Sequence, residues 1–286
     1  VSMIVNALLE DGLVVKREPL RGRVGQPSVP IALNPDGAYA LGVKVGRRSM
    51  DLLLIDFTGQ VRQRSSVRYD FPDPDSLFDQ LRGMTQRCIA SLGSRAERLC
   101  GVGVAAPLSM GGWQSLLGFP DNLAEAWTRT DLRGEIERQT GLPVDLLKDT
   151  AAACVAELVA GRGRSVRSFL YVFVDTFIGG GLVIDSHLRS GLHGNAGAIG
   201  SLPLGLASAG SSAPPPQLLS VASLLNLEAR YRDAGLEPTA SGDERALEPP
   251  WRPHTQAWMH EAAASIALAA NSAACLLDLD GVIIDG

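Results

Sequence analysis

Among the residues that could do chemistry, Asp149 has the most informative position. It follows the apolar run 144–147, which the sequence predicts as a strand, and precedes the alanine-rich stretch 150–160, which is predicted as a helix. Clefts in α/β proteins place their chemistry at the carboxyl ends of strands, where a carboxylate could act as a general base toward a hydroxyl group. On spacing alone, capping of the following helix is the simpler role for this carboxylate.

Two further motifs resemble known sites but lack the surroundings that those sites need. Residues 101–106, GVGVAA, match the dinucleotide pattern G-x-G-x-x-A, but these glycines lie inside a predicted strand and a proline follows them. Residues 277–285, LDLDGVIID, look like the first motif of haloacid-dehalogenase-type phosphatases, with Asp278 as nucleophile and Asp280 as acid. Such enzymes also need a lysine and further carboxylates downstream of this motif, and only Gly286 follows it here. We interpret it as a helix end, a turn and a strand.

Histidine and cysteine are too few and too scattered for a familiar metal site. The chain has four of each, and no two cysteines are close in sequence. Scattered cysteines are typical of reduced thiols in the cytoplasm and not of a disulfide framework or a zinc ribbon. The most apolar long stretch, 262–277, is mostly alanine and is expected to be a buried helix. We expect a cytoplasmic protein without a membrane partner.

Basic residues cluster near the start of an otherwise acidic chain. The 286 residues carry a net charge of −5, so any contact with DNA must come from a local patch. Residues 16–23 contain four cations, Lys16, Arg17, Arg21 and Arg23, and follow a helix predicted over 1–9. A helix followed by a basic, glycine-containing hairpin is typical of the end of a winged helix. On charge alone, a solvated basic linker is the simpler interpretation.

The elements that must position these residues repeat along the chain. Strands are predicted at 39–45, 51–57, 61–69, 99–106, 144–147, 169–174, 182–184 and 281–284, and helices at 75–92, 131–140, 150–160, 217–232 and 255–277. This is a βββαβα-type unit used twice, the layout of the two-lobed actin-like ATPase fold, which is ribonuclease H-like and occurs in sugar kinases. We expect the end of a winged-helix domain and a linker at 1–34 and lobes at 35–162 and 163–286, with the ligand between the lobes.

Glycines are concentrated in residues 178–201, IGGGLVIDSHLRSGLHGNAGAIGS. The pattern predicts that residues 179–181 form a turn between two strands and that the second glycine cluster forms a loop. Two such loops could wall a small-molecule cleft, because glycine lets a ligand approach the backbone. A β-hairpin with an irregular return loop is the other interpretation.

Several of these segments together resemble the ROK family, which joins bacterial sugar-responsive repressors to sugar kinases. The resemblance runs along nearly the whole chain and rests on LEDG at 9–12, GRVGQP at 22–27, LGVKVG at 41–46, PDNL at 120–123, KDTAAACVAE at 148–157 and the glycine segment 178–201. It implies a ligand site formed by Asn122, Lys148, Asp149, Gly180, Gly181, Asn195, Gly197, Ala198 and Ser201. It also implies DNA contacts by Ser2, Lys16, Arg17, Arg21 and Arg23.

The chain departs from the family's kinases where the resemblance places phosphate and sugar. Lys44 stands where those kinases have an acidic residue beside the phosphate loop, and Mg²⁺ prefers oxygen ligands. Lys148 replaces an asparagine, while Ala198 and Ser201 replace a glutamate and a histidine; alanine can form no side-chain hydrogen bond to a sugar hydroxyl. Asp149 alone remains, as a vestigial base. The family's cysteine-rich zinc motif is absent from 205–216, so we expect no metal and no cofactor, and ATP binding is disfavoured.

The resemblance therefore implies a DNA-binding transcriptional regulator, a repressor, whose kinase-like body is catalytically inactive. Its expected partners are operator DNA, a sugar or sugar-derivative effector, and a second copy in a homodimer. One alternative is a sugar kinase that phosphorylates a sugar hydroxyl with ATP and uses Asp149 as base. Another is a sensor without DNA binding. Earlier helices of the winged domain are expected before Val1, and further kinase-like segments after Gly286.

Overall fold

The computed structural model describes residues 2–19, 29–111, 118, 120–206 and 215–286, except for the side chain of Ser2. These residues form two compact units, which divide the chain between Asp149 and Thr150. The helices are α1 (Ser2–Glu10), α2 (Pro74–Leu92), α3 (Asp121–Arg129), α4 (Leu132–Thr140), α5 (Asp149–Ala160), α6 (Leu219–Ala222), α7 (Leu224–Asp233) and α8 (Arg252–Leu277). The strands are β1 (Val14–Lys16), β2 (Ile31–Leu33), β3 (Tyr39–Val45), β4 (Ser49–Asp56), β5 (Val61–Arg68), β6 (Leu99–Ala106), β7 (Val144–Lys148), β8 (Phe169–Phe173), β9 (Gly179–Ile184), β10 (His187–Arg189) and β11 (Gly281–Asp285). The domain limits at residues 34 and 162 stay a prediction.

The first unit is built on a five-stranded sheet in the order β5-β4-β3-β6-β7. Strands β3, β4 and β5 form the predicted antiparallel meander, and β6 and β7 run parallel to β3. Alternate residues of β3, such as Leu41 and Val43, are buried because one face of the strand shares a core with Leu77 and Leu81 of α2. The pattern of alternating apolar residues therefore predicted this sheet correctly.

The start of the chain contains both elements that the sequence predicts there. Helix α1 is followed by β1 and β2, which pair antiparallel from Val14 opposite Leu33 to Lys16 opposite Ile31. Residues 20–28, which link the two strands in sequence, lie outside the described residues, and the predicted DNA contacts Arg21 and Arg23 are among them.

The second unit repeats the strand order of the first. Its four-stranded sheet has the order β10-β9-β8-β11, with β8, β9 and β10 antiparallel and β11 parallel to β8. This is the arrangement β5-β4-β3-β6 of the first unit, with three meandering strands and a later strand placed parallel to the first of them. Its main core joins Leu170 and Val172 of β8 to Trp258 of α8. The predicted repeat is confirmed.

One prediction about the glycine segment is wrong, because Gly179, Gly180 and Gly181 are not a turn. They begin strand β9 and pair with Phe173, Val172 and Tyr171 of β8. The connection between the two strands is 174–178 instead. Gly179 and Gly181 are needed because residues of α5 approach the strand too closely for side chains, and Gly180 is needed because the carbonyl groups of Tyr171 and Gly197 do the same. A single sequence shows no such packing.

The predicted helix 217–232 is interrupted at Ser223. The hydroxyl of Ser223 donates to the carbonyl of Leu219 and accepts from the backbone N–H of Ile178 at 3.0 Å. The backbone N–H of Ser223 donates to the side chain of Asn226. Ser223 thereby ends α6 and caps α7. The helical spacing continues across this break, which is why the sequence suggests one helix.

The carboxyl end of the described chain agrees with the interpretation of LDLDGVIID as helix end, turn and strand. Helix α8 ends before Asp278, which has a left-handed backbone, and β11 follows. The carboxylate of Asp280 accepts from the backbone N–H of Ser168 at 2.9 Å, which ties this turn to the start of β8. No helix in the described part of the chain is long and apolar enough to cross a membrane.

Candidate functional site

Asp149 lies at the carboxyl end of a parallel strand, as predicted. Strand β7 ends at Lys148, which is in register with Ala106 of β6, and α5 begins at Asp149 itself. No loop separates strand from helix, so the carboxylate belongs to the first helical turn, where negative charge is favourable. This placement keeps Asp149 next to Lys148.

Lys148 is only partly buried, and its surroundings act on its charge in two directions. Burial lowers the pKa of its amine, and the neighbouring carboxylate of Asp149 opposes that effect. The lysine side chain carries hydrogen-bond donors and no acceptor. A ligand at this strand end would therefore meet a donor from Lys148 and an acceptor from Asp149.

Helix α5 presents two small side chains to the glycine strand of the second unit. Thr150 donates its hydroxyl to the carbonyl of Gly180 at 3.0 Å. A Cβ on Gly179 would lie 2.7 Å from Cγ2 of Thr150, and one on Gly181 would lie 2.6 Å from Cβ of Cys154. Both distances are below normal van der Waals contact, so only glycine fits at these two positions.

Cys154 is a packing residue and not a nucleophile. It is fully buried, and burial raises the pKa of its thiol to about 12. A thiol with such a pKa carries almost no thiolate at neutral pH.

The second glycine cluster folds back onto the same strand. Gly197 has a φ of +74°, and a Cβ there would lie 2.6 Å from the carbonyl carbon of Gly181. Ala198 follows and precedes a 3-10 turn, Ile199–Ser201. The structure thus brings Gly180, Gly181 and Gly197 together in the second unit, with Ala198 beside them. The exposed residues Asn195 and Ser201 flank this group along the chain.

The remaining predicted ligand and phosphate residues lie on the first unit. Asn122 is exposed in the first turn of α3. Lys44 is exposed on β3, opposite Asp51 of β4, and its charge helps to hold the pKa of Asp51 below the usual value against the effect of burial. The side chain of Lys44 therefore already faces a carboxylate of its own sheet.

Among the predicted DNA contacts, Lys16 and Arg17 are exposed at the end of β1. The N–H of Arg17 donates to the carbonyl of Pro30 at 2.8 Å, so the hairpin pairing continues one residue beyond the strand. Ser2 is the first residue of α1, and its side chain lies outside the described residues.

Sequence reasoning missed Thr150 and Cys154 as partners of the glycine strand. Their signal is the spacing of two small residues four apart on a helix, which places both on one face. Gly179 and Gly181 show the matching spacing of two along a strand. Neither spacing alone is specific. Over the described residues, no group of three or more histidine, cysteine, aspartate or glutamate side chains could hold a metal ion.

Comparison with known proteins identifies one family. The profile of the ROK family matches residues 40–286. The xylose repressor of Bacillus subtilis strain 168 is 24% identical over 204 residues, which are 71% of this chain and 52% of that protein. The DNA-binding transcriptional repressor Mlc of Escherichia coli K12 is 24% identical over 192 residues, 66% of this chain and 46% of that protein. The chain therefore spans about half the length of the curated relatives that it matches.

Solved structures of the same family share the fold. A ROK family transcriptional regulator, described as a homologue of the Escherichia coli Mlc protein, has a TM-score of 0.68 at 21% identity, over 100% of this chain and 74% of that chain. A ROK hexokinase from Thermus thermophilus has a TM-score of 0.63 at 22% identity, over 87% of this chain and 81% of that chain. The α/β architecture is that of the actin-like ATPase fold, as the sequence predicts.

Proposed function

We propose that this chain, which belongs to the ROK family, is part of a DNA-binding transcriptional repressor whose kinase-like body binds a sugar without phosphorylating it. The observation that carries the proposal is a contrast within the site. The glycine framework of β9 and Gly197 is packed to contact distance, whereas the neighbouring side chain that would bind a sugar hydroxyl is the methyl group of Ala198. The loss of this polar group removes a contact that would orient a sugar hydroxyl for transfer, so sugar binding in this proposal rests on Lys148 and Asp149.

The loss of phosphoryl transfer follows from the charges at the phosphate segment. Phosphoryl transfer depends on a metal that neutralises the phosphates, and Mg²⁺ is held by oxygen ligands. Lys44 supplies a cation where an acidic residue is needed, and Arg47 and Arg48 add two more cations at the following turn. Asp149 would remain as an acceptor for a sugar hydroxyl, in a binding role.

The DNA-binding half of the proposal rests on the start of the chain and on the relatives. Helix α1 and the hairpin β1–β2 have the order of a winged helix, with Lys16 and Arg17 exposed at the end of β1. Phosphate contacts of this kind position a protein on DNA, and base contacts specify the sequence. The relatives named as repressors support this assignment. A repressor of this type would act in the cytoplasm as a homodimer on two half-sites.

The experiment is a retardation assay with the full-length protein and the DNA upstream of its own operon. We expect selective retardation of that fragment over unrelated DNA of equal length. Arg17→Ala should weaken binding and lower the salt dependence, because each phosphate contact contributes about 0.9 to the slope of log K against log salt. Equal retardation of both fragments would contradict the proposal.

A second candidate function is a sugar kinase with Asp149 as the base. The observation in its favour is the carboxylate itself, kept at the strand end where a general base belongs. Its test is the formation of ADP and sugar phosphate from ATP and an added sugar. We expect none from the unaltered protein.

A matched pair of variants makes the kinase test decisive. Asp149→Asn removes the carboxylate at the strand end, and Asp145→Asn removes an exposed carboxylate from the same strand. Turnover that depends on sugar and is abolished by Asp149→Asn, but not by Asp145→Asn, would establish a kinase. Such a result would overturn the proposal that the body is inactive.

A further inference from the structure

The helix–hairpin segment at the start of the chain is fastened to the first unit by hydrogen bonds to its backbone. Arg98 Nη1 donates to the carbonyl oxygen of Asp11 at 3.2 Å and to that of Gly37 at 3.0 Å. Asn34 Nδ2 donates to the carbonyl of Gly12 at 2.7 Å, and the N–H of Asn34 donates to the carbonyl of Leu13 at 2.9 Å. We call these residues, 11–13, Asn34, Gly37 and Arg98, the seat of α1.

The seat is closely packed as well as hydrogen-bonded. Gly12 has a φ of +70°, and a Cβ there would lie 2.9 Å from Arg98 Nη2. A Cβ on Gly37 would lie 3.0 Å from the carbonyl oxygen of Gly12. Neither glycine can be replaced without moving the guanidinium or the loop. The residues that follow α1 therefore have one well-defined place against Arg98 and Gly37, which lie in two 3-10 turns.

Arg98 connects this seat to β6, the neighbour of the strand that leads to Asp149. It is the last residue of a 3-10 turn, Gly93–Arg98, and β6 begins at the next residue. At its other end β6 pairs Ala106 with Lys148, the residue before Asp149. Eight strand residues span about 26 Å at roughly 3.3 Å each. The two ends of one strand thus reach the seat of α1 and the proposed ligand residues.

We propose that Arg98 is a positioning residue, which holds the DNA-binding helix α1 in a defined orientation on the body. This inference rests on the proposed function in that it takes α1 as part of the DNA-binding domain. Bonds from a charged donor are stronger than neutral ones, so one guanidinium that bridges two carbonyls can dominate the seat. A displacement at the start of β6 would then move α1 with it.

The test uses the full-length protein with three substitutions. Arg98→Ala removes both donors to the seat, and Arg98→Lys keeps the charge but only a single-point donor group. Arg95→Ala is the matched control, because Arg95 lies in the same 3-10 turn and pairs with Asp36 at 3.3 Å, outside the seat. Amide hydrogen exchange is followed in peptides covering 8–17 and 29–37, and in a peptide from β6 as internal reference.

We expect Arg98→Ala to raise the rate of amide hydrogen exchange in the two seat peptides about tenfold. This change corresponds to the loss of roughly 1.4 kcal/mol from the free energy that holds the seat closed. Exchange in Arg98→Lys should lie between these values. Arg95→Ala should match the unaltered protein in the 8–17 peptide, which is the deciding one because Asp36, the partner of Arg95, lies in the 29–37 peptide. Affinity for the selected DNA should fall about tenfold in Arg98→Ala and by less than twofold in Arg95→Ala. The β6 peptide should be unchanged in every variant.

The two proposals fail in different ways. Unchanged seat exchange and unchanged DNA affinity in Arg98→Ala would overturn the positioning role and leave the repressor proposal intact. Absence of selective DNA binding by the unaltered protein would overturn the repressor proposal, while the exchange data would still decide whether Arg98 holds the seat. Faster exchange in the β6 peptide of Arg98→Ala would show a general loss of structure and would also count against a positioning role.

Discussion

Lys148 and Asp149 lie side by side where a strand becomes a helix, and their side chains set what this end of the sheet can accept. An asparagine at position 148 would offer both a donor and an acceptor to a sugar hydroxyl, whereas Lys148 offers only donors. The acceptor role at this point falls to Asp149 alone. Its position at the strand end followed from the sequence, because an apolar run, a carboxylate and an alanine-rich stretch define a strand-to-helix junction.

Asp56 is the buried carboxylate whose removal should matter most for stability. Its side chain is 1% exposed and accepts hydrogen bonds from Thr58, from the N–H of Gln60 and from Arg62. Burial alone would raise the pKa of Asp56, but these hydrogen bonds outweigh burial and hold the pKa below its usual value. The folded state thus favours the ionised form.

We expect Asp56→Asn to lower the free energy of unfolding at pH 7 by roughly 2 kcal/mol, because hydrogen bonds to a charged acceptor are lost. A folded-state pKa below the unfolded one stabilises the protein above about pH 4 and ceases to do so as the pH falls through the folded value. The difference between the two proteins should therefore shrink in acid. Urea unfolding between pH 3 and 7 measures it.

The control for this measurement is Asp79→Asn. The side chain of Asp79 is 73% exposed and pairs with Arg82, three residues along the same helix. Such a surface pair contributes little to stability. An effect of Asp56→Asn no larger than that of Asp79→Asn, or one that grows in acid, would contradict the account of Asp56.

At the scale of elements, close approaches from two sides explain why three consecutive glycines occur in strand β9. Glycine weakens an isolated strand, so its use here indicates a compensating close approach. Thr150 and Cys154 of α5 supply that approach at Gly179 and Gly181, and the carbonyl groups of Tyr171 and Gly197 supply it at Gly180. The function of the triple glycine is therefore to bring a helix, a strand and the loop at Gly197 into contact.

We expect Gly181→Ala to destabilise the second unit by roughly 2 kcal/mol, since the added methyl group would overpack against Cys154. Gly103→Ala is the matched control, because Gly103 lies inside β6 and a Cβ there would meet nothing within 4 Å. Alanine is better tolerated than glycine in a strand interior, so the control should be neutral or slightly stabilising. Thermal unfolding of both variants decides the matter, and equal effects would refute the packing role.

The sequence predicted the elements far better than it predicted their contacts. Strands 39–45 and 99–106 were predicted with the bounds that the structure has, since their apolar residues recur with a clear pattern. The role of Gly179–Gly181 was not predicted, because glycine signals a turn and a tight packing site alike. The break at Ser223 was missed for a related reason: its partner Ile178 is 45 residues away in the chain.

At the scale of the whole molecule, both units use the same order of strands. The exposed basic residues near the start of the chain also contrast with its negative net charge. The chain carries a net charge of −5, while Lys16 and Arg17 are exposed beside helix α1. An acidic body disfavours non-specific attachment to DNA, so that binding depends on the basic segment. Such a division suits the proposed regulator, whose binding to DNA would depend on its basic segment.

The proposal that a sugar bound to the kinase-like body controls DNA binding is tested most directly by the affinity of the full-length protein for its selected DNA. This affinity is measured by fluorescence anisotropy at fixed salt. Sugars from a panel are added one at a time without nucleotide. We expect that one sugar of the panel changes the DNA affinity at least fivefold, that Asp149→Asn abolishes the change, and that no ATP is needed. An affinity that no sugar alters, or a response that requires ATP and yields sugar phosphate, would contradict it.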